Sequence, residues 1–189
     1  MNIRSKKFSL LFSHYFQLIL VGVLVQSVYL GFSLKLFGIG FPLDDSWIHQ
    51  TYARNLVEFG GWFFNPGVSS AGSTSPLWTL LLTPGHLFDN DFYYYWTFLI
   101  SGLLFIGSSI IFQNIFEKLI GKTTKYPWAG FIFLLEWHLI WSANSGMETI
   151  LFIFIILTIF YFYLSKINKN QWVLWLLLGV VIFVRPDGI

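Results

Sequence analysis

Asp44 and Asp45 stand side by side in a stretch whose side chains could do chemistry, Phe41-Pro42-Leu43-Asp44-Asp45-Ser46-Trp47-Ile48-His49. A carboxylate held within hydrogen-bond reach of a hydroxyl takes its proton as that oxygen attacks an electrophilic carbon, so either Asp is a candidate general base, Asp45 slightly preferred. The competing reading is structural: an Asp at a helix start caps exposed N–H groups and gains from the helix dipole. That accounts for one carboxylate and leaves the other unexplained. Successive helical residues point about 100° apart, so one can cap while its neighbour faces inward. His49, one turn past Asp45, can tune the base or touch a substrate, although an interfacial polar residue is its simplest reading. Arg54 on the same segment joins it as a candidate substrate contact.

Further candidates lie far away in the chain. Glu148, in Ser145-Gly146-Met147-Glu148-Thr149, stands where an apolar segment begins, and by position it is a helix-start carboxylate favoured by the dipole. Asp187 and Arg185, in Arg185-Pro186-Asp187-Gly188, are candidate substrate contacts, and Arg185 directly follows a short apolar segment. Its guanidinium offers a fork of donors suited to a phosphate, and snorkelling or pairing with Asp187 is the alternative. Glu136 and His138 interrupt another apolar run, where ionisable groups hint at function. They sit on different helix faces and do not suggest a shared metal; a contact between Glu136 and Arg185 is an open expectation.

The elements that must position these groups are apolar. The chain of 189 residues is 56% hydrophobic and 11% charged, with a mean hydropathy of +0.66, too apolar to cover a water-facing surface. An integral membrane protein is expected, all α-helical, with residues 1–189 forming one membrane domain. The 11 basic residues are scattered over several loops, which argues against nucleic-acid binding. With no cysteine, disulfides and thiolate metal sites are excluded. The paired carboxylates could hold a hard divalent cation, and no metal or cofactor is assigned.

Apolar runs predict five spans, near residues 8–34, 92–116, 127–142, 149–164 and 172–184, each near the length a bilayer demands or somewhat short of it. Residues 36–91 form the first external loop. Within it, Ile48, Tyr52, Leu56 and Phe59 recur at helical spacing and predict a surface helix ended by Gly60-Gly61. A second short helix opens at Ser75-Pro76 and stops at Pro84-Gly85. Basic residues mark the amino terminus, the loop carrying Lys118, Lys122 and Lys125, and the loop carrying Lys166 and Lys169. The positive-inside rule then puts the amino terminus in the cytoplasm and every polar motif on the outer face of the plasma membrane.

The runs DDSWIHQTYARNLVEFGGWFFNPG, STSPLW, SGMET and RPDG, in that order, resemble the membrane-embedded C-type glycosyltransferases. The similarity is greatest to the arabinofuranosyltransferase-like and mannosyltransferase-like branch that uses polyprenyl-phosphate sugars. The resemblance implies inverting transfer of a sugar from a lipid-phosphate donor to a glycan, lipid or protein acceptor outside the cell. An acidic residue of the first external loop, Asp44 or Asp45, would be the base, Glu148 would form a wall of the site as a substrate contact, and the surface helices would shape an acceptor groove. It covers only the N-terminal part of that fold, so a fragment, or a chain completed by a partner, is expected. Two other classes compete: an inactive truncated relative or membrane scaffold, and a transporter or flippase subunit using Glu136 and His138.

Overall fold

The computed structural model describes residues 3–88, 91–165 and 171–186, with side chains from residue 13 onward. Asp187, Gly188, Lys166 and Lys169 lie outside the described residues. The described residues are helical and contain no strand. Eight α-helices follow in order: α1 (Ile3–Phe37), α2 (Asp44–Phe59), α3 (Pro76–Leu82), α4 (Phe92–Ile120), α5 (Trp128–Leu135), α6 (Trp137–Asn144), α7 (Thr149–Leu164) and α8 (Gln171–Val184), with a 3-10 turn at Thr83–His86 after α3.

Two of these, within Ser13–Phe37 and over Phe92–Ile120, are long and apolar enough to cross a membrane; α7 and α8 are apolar but shorter. Helix α1 leaves Phe16, Leu20, Leu24 and Phe32 facing outward, a stripe too large and too apolar for water. On its other side it presses closely on α4. A Cβ at Gly22 would fall 2.5 Å from Ile106, and one at Gly102 would meet the Gln26 amide at 2.4 Å. Small residues at such crossings let two backbones approach.

Helix α4 is the hub, packed against α1, α5, α6 and α7. One apolar cluster joins Leu18, Phe105, Phe133, Leu134, Ala143 and Ile150. A second joins Ala53, Trp78, Leu82, Leu151, Ile155, Val181 and Val184. The second cluster carries α3 into the bundle, with Trp78, Thr79 and Leu82 fully buried, so its seven residues are not a surface decoration.

Two expectations need correction. The run at residues 127–142 is not one helix: Glu136, at φ −73° and ψ 118°, is extended and separates α5 from α6. Its carboxylate accepts the Leu139 N–H at 2.8 Å, so the side chain that breaks the first helix caps the next. Glu136 bonds to Leu139 and His138, which answers the Glu136–Arg185 question against that contact. Of the four apolar residues whose spacing predicts the surface helix α2, only Tyr52 is buried. The packed face is instead Ser46, His49, Gln50, Ala53 and Asn55 with it.

Candidate functional site

Helix α2 starts at Asp44, earlier than the apolar spacing suggests, so both carboxylates fall in its first turn. Leu43 is the N-cap residue and no side chain caps the helix. The capping explanation therefore serves neither Asp. Both are exposed, and each gains from the dipole at this helix end. Asp45 and His49 are four residues apart, which puts them on one face about 6 Å apart at Cβ.

The first turns of α2 are docked onto the α6–α7 connection. Ser46 Oγ donates to the Ser145 carbonyl at 2.7 Å, and Trp78 Nε1 donates to the Gly146 carbonyl at 2.9 Å. Gly146 has φ +78°, and a Cβ there would fall 2.6 Å from the Phe41 ring. Backbone conformation and space thus both demand glycine. This turn delivers Glu148, buried at 3% exposure, to the face of α2 below Asp45.

Glu148 Oε2 lies 3.4 Å from His49 Nε2, and Glu148 Oε1 lies 3.8 Å from Arg185 Nε. The His49 contact has ion-pair distance without hydrogen-bond alignment, so both atoms are buried and unsatisfied. On the other side of the ring, His49 Nδ1 lies 3.1 Å from Thr79 Oγ1, which is 2.8 Å from Ser73 Oγ. With Thr79 donating to Nδ1, the ring hydrogen sits on Nε2 and faces Glu148. Burial alone would raise the Glu148 pKa. His49, a backbone N–H and the Arg185 charge outweigh it and hold the carboxyl below its ordinary range.

The structure thus brings together His49, Glu148 and Arg185 from three distant segments, with Asp45 one turn above His49. Asp44 is on the same turn, rotated away. His49 is a core residue at 1% exposure, not an interfacial one. Arg54 is not part of this group. It is exposed beside Glu58, at 4.0 Å, and edges a separate polar cleft with Trp47, Gln50, His86 and Tyr93. There His86 Nε2 donates to Gln50 Oε1 at 2.8 Å, and Gln50 Nε2 donates to Thr97 Oγ1 at 2.8 Å. Burial, then the Arg54 charge, pushes the His86 pKa down to about 4. Asp187 lies outside the described residues.

Sequence reasoning did not find Ser73 and Thr79 as partners of His49. It passed over Ser73 and Thr79 as turn and helix residues, and only the return of α3 into the bundle gives them a role. Among the described residues no group of three His, Asp or Glu side chains is placed to hold a metal ion. The arrangement sets a buried imidazole and carboxylate beside a guanidinium, one turn below an exposed carboxylate of the kind that can accept a proton. In class, this is an all-helical chain with two helices fit to cross a membrane and a polar cluster at one bundle end. No family model matches it, and neither a curated protein nor a solved structure does.

Proposed function

We propose that the chain is a membrane-embedded sugar transferase unit of the C-type glycosyltransferase kind, acting on a polyprenyl-phosphate sugar at the outer face of the plasma membrane. In this reading α1, α4, the broken pair α5 and α6, α7 and α8 are five spans, and α2 and α3 lie in the first external loop. The acceptor hydroxyl attacks the anomeric carbon with inversion, its proton passes to Asp45, and polyprenyl phosphate leaves. Arg185 meets the donor phosphate. His49 and Glu148 orient the acceptor, and Asp44 adds negative charge beside Asp45. The supporting observation is the convergence of His49, Glu148 and Arg185 one turn below Asp45.

The test uses purified chain in liposomes with synthetic polyprenyl-phosphate hexose and pentose donors, following released polyprenyl phosphate. Native protein releases it when membrane glycans are supplied as acceptors. Asp45→Asn lowers the rate by roughly 10²- to 10⁴-fold, the range for losing a general base. Because Asp45 is exposed, helix content and melting stay native. Unchanged release from the Asp44→Asn, Asp45→Asn double variant overturns the reading.

One observation favours transport instead. Polar side chains are not confined to one end: Gln26, Ser101, Ser108 and Gln113 are buried along the bundle, and Glu136 sits at a helix break. Broken helices with polar groups through their depth suit a substrate path. Donor-stimulated release of polyprenyl phosphate decides for transfer, and its absence with uptake of the intact lipid-linked sugar decides for transport.

A further inference from the structure

Resting on the five-span reading, the break between α5 and α6 raises a problem of its own. Phe133 packs on Phe105 and Phe112 of α4, at 5.9 and 5.7 Å between ring centres. Trp141 and Asn144 border the same cavity as Phe98. Glu136, between these levels, stands opposite α4 roughly ten residues, or about 15 Å, from the start of that helix, near mid-depth in a core about 30 Å thick. Its side chain is 39% exposed, and that of His138 is 70% exposed. Around them Ile132, Leu135 and Trp137 also face outward. The bundle thus presents a carboxylate and an imidazole toward hydrocarbon, where such groups almost always find polar partners.

The pair is incompletely used. His138 Nδ1 contacts Glu136 Oε1 at 2.6 Å, and Oε2 accepts from Leu139 N. These contacts leave His138 Nε2 and the outer lone pairs of both carboxylate oxygens to point away from the bundle.

We propose that this face, Ile132 to His138, is where a second copy of the chain docks about a twofold axis. One acid and one base two residues apart make a self-complementary patch. As the imidazolium, each His138 keeps Nδ1–H on its own Glu136 and donates Nε2–H to the second copy's Glu136, and the exchange is returned by symmetry. The apolar residues on either side then pack in place of lipid, and neither charged group faces hydrocarbon. Charge complementarity selects a second copy over a partner with a single polar group, which would leave one member of the pair uncovered.

The lack of cysteine makes the test clean, since one introduced thiol reports one contact. The full chain is reconstituted in lipid vesicles at a low protein-to-lipid ratio and oxidised as Ile132→Cys, with Leu24→Cys on the outward face of α1 as the comparison. Ile132→Cys gives at least tenfold more disulfide-linked dimer than Leu24→Cys. Adding Glu136→Leu and His138→Leu removes that excess, while helix content stays unchanged. Equal crosslinking at the two positions, or an excess that survives Glu136→Gln and the double Leu replacement, overturns the proposal. Vesicle flotation and resistance to alkaline extraction are scored first: a chain that is extracted fails the five-span reading, whereas an embedded chain without the Ile132 excess fails the twofold interface alone.

Discussion

The two ends of the bundle are both polar and differ in how completely their buried carboxylates are paired. At one end Gln113, Glu117 and Thr124 form a hydrogen-bonded network, with His14 Nδ1 beside it at ion-pair distance and, like His49 Nε2, without a hydrogen bond. Glu117 Oε1 accepts from Gln113 Nε2 at 2.9 Å, Thr124 N at 3.1 Å and Thr124 Oγ1 at 2.8 Å, with His14 Nδ1 at 3.4 Å. Gln113 Oε1 in turn accepts the Gly130 N–H at 3.2 Å, which ties α4 to the start of α5. At the other end, His49 Nε2 and Glu148 Oε2 face each other without a hydrogen bond. The contrast lies in the carboxylates: Glu117 Oε1 accepts three hydrogen bonds, whereas Glu148 Oε2 is buried and accepts none.

The largest effect that can sharpen this contrast is at the Glu117 end. Glu117→Ala orphans the Thr124 N–H and Thr124 hydroxyl and strips His14 of its anion in a buried place. Removing one member of a buried, hydrogen-bonded charged group costs about 3 to 5 kcal/mol. Thermal unfolding in detergent micelles shows it, with donor binding unchanged per folded molecule. A loss under about 1 kcal/mol would mean that water already substitutes for the carboxylate, and the contrast between the ends would dissolve.

Glu148→Gln is smaller in stability and different in kind. The amide keeps the shape and loses the charge that faces His49 and Arg185, so about 1 to 3 kcal/mol is expected, mostly through the groups left behind. Acid separates the contributions. His86 titrates near 6.5 unfolded and about 4 folded, so the unfolded chain takes its proton first and stability falls as pH drops through that window. Glu148 is held below its ordinary value of 4.5, so its contribution is present above about 4.5 and is lost as pH falls through the lower folded value. Melting temperature against pH therefore declines in two stages. His86→Gln removes the upper one and Glu148→Gln the lower. A single stage untouched by either variant would break the assignment.

Much of the fold was legible because lipid-length apolar runs bounded by Lys or Gly leave little choice; α7 begins and ends where its composition says. The break at Glu136 was hidden. No Pro or Gly marks it, hydropathy runs through it, and the cause is a side chain folding back on the next N–H, which depends on rotamer and not on composition. The packed face of α2 was not legible for a related reason. Apolar spacing locates a face meant for an apolar core, but α2 lies on Thr79, Thr97 and the Ser145–Gly146 backbone, so its buried side is the polar one. Gln113 and Glu117 carried a readable signal, an i, i+4 polar pair inside an apolar span.

Arg54 makes the smallest prediction and marks the edge of the site. Its guanidinium is half exposed, with Glu58 at 4.0 Å one turn on, an i, i+4 surface pair of the kind worth about 0.3 to 0.5 kcal/mol. Five residues past His49, it lies roughly 140° around the helix from the face that meets Glu148. Arg54→Ala therefore shifts melting by under about 0.5 kcal/mol and leaves donor turnover within about twofold, because a distant exposed charge is screened over about 8 Å of physiological salt. It also relieves His86 of a positive neighbour, so the upper acid stage moves to higher pH, toward 6.5, by a small step. If turnover instead fell more than tenfold with melting unchanged, the cleft shared by Arg54, His86 and Tyr93 would belong to the substrate path, and the active region would extend along α2 beyond the His49 face.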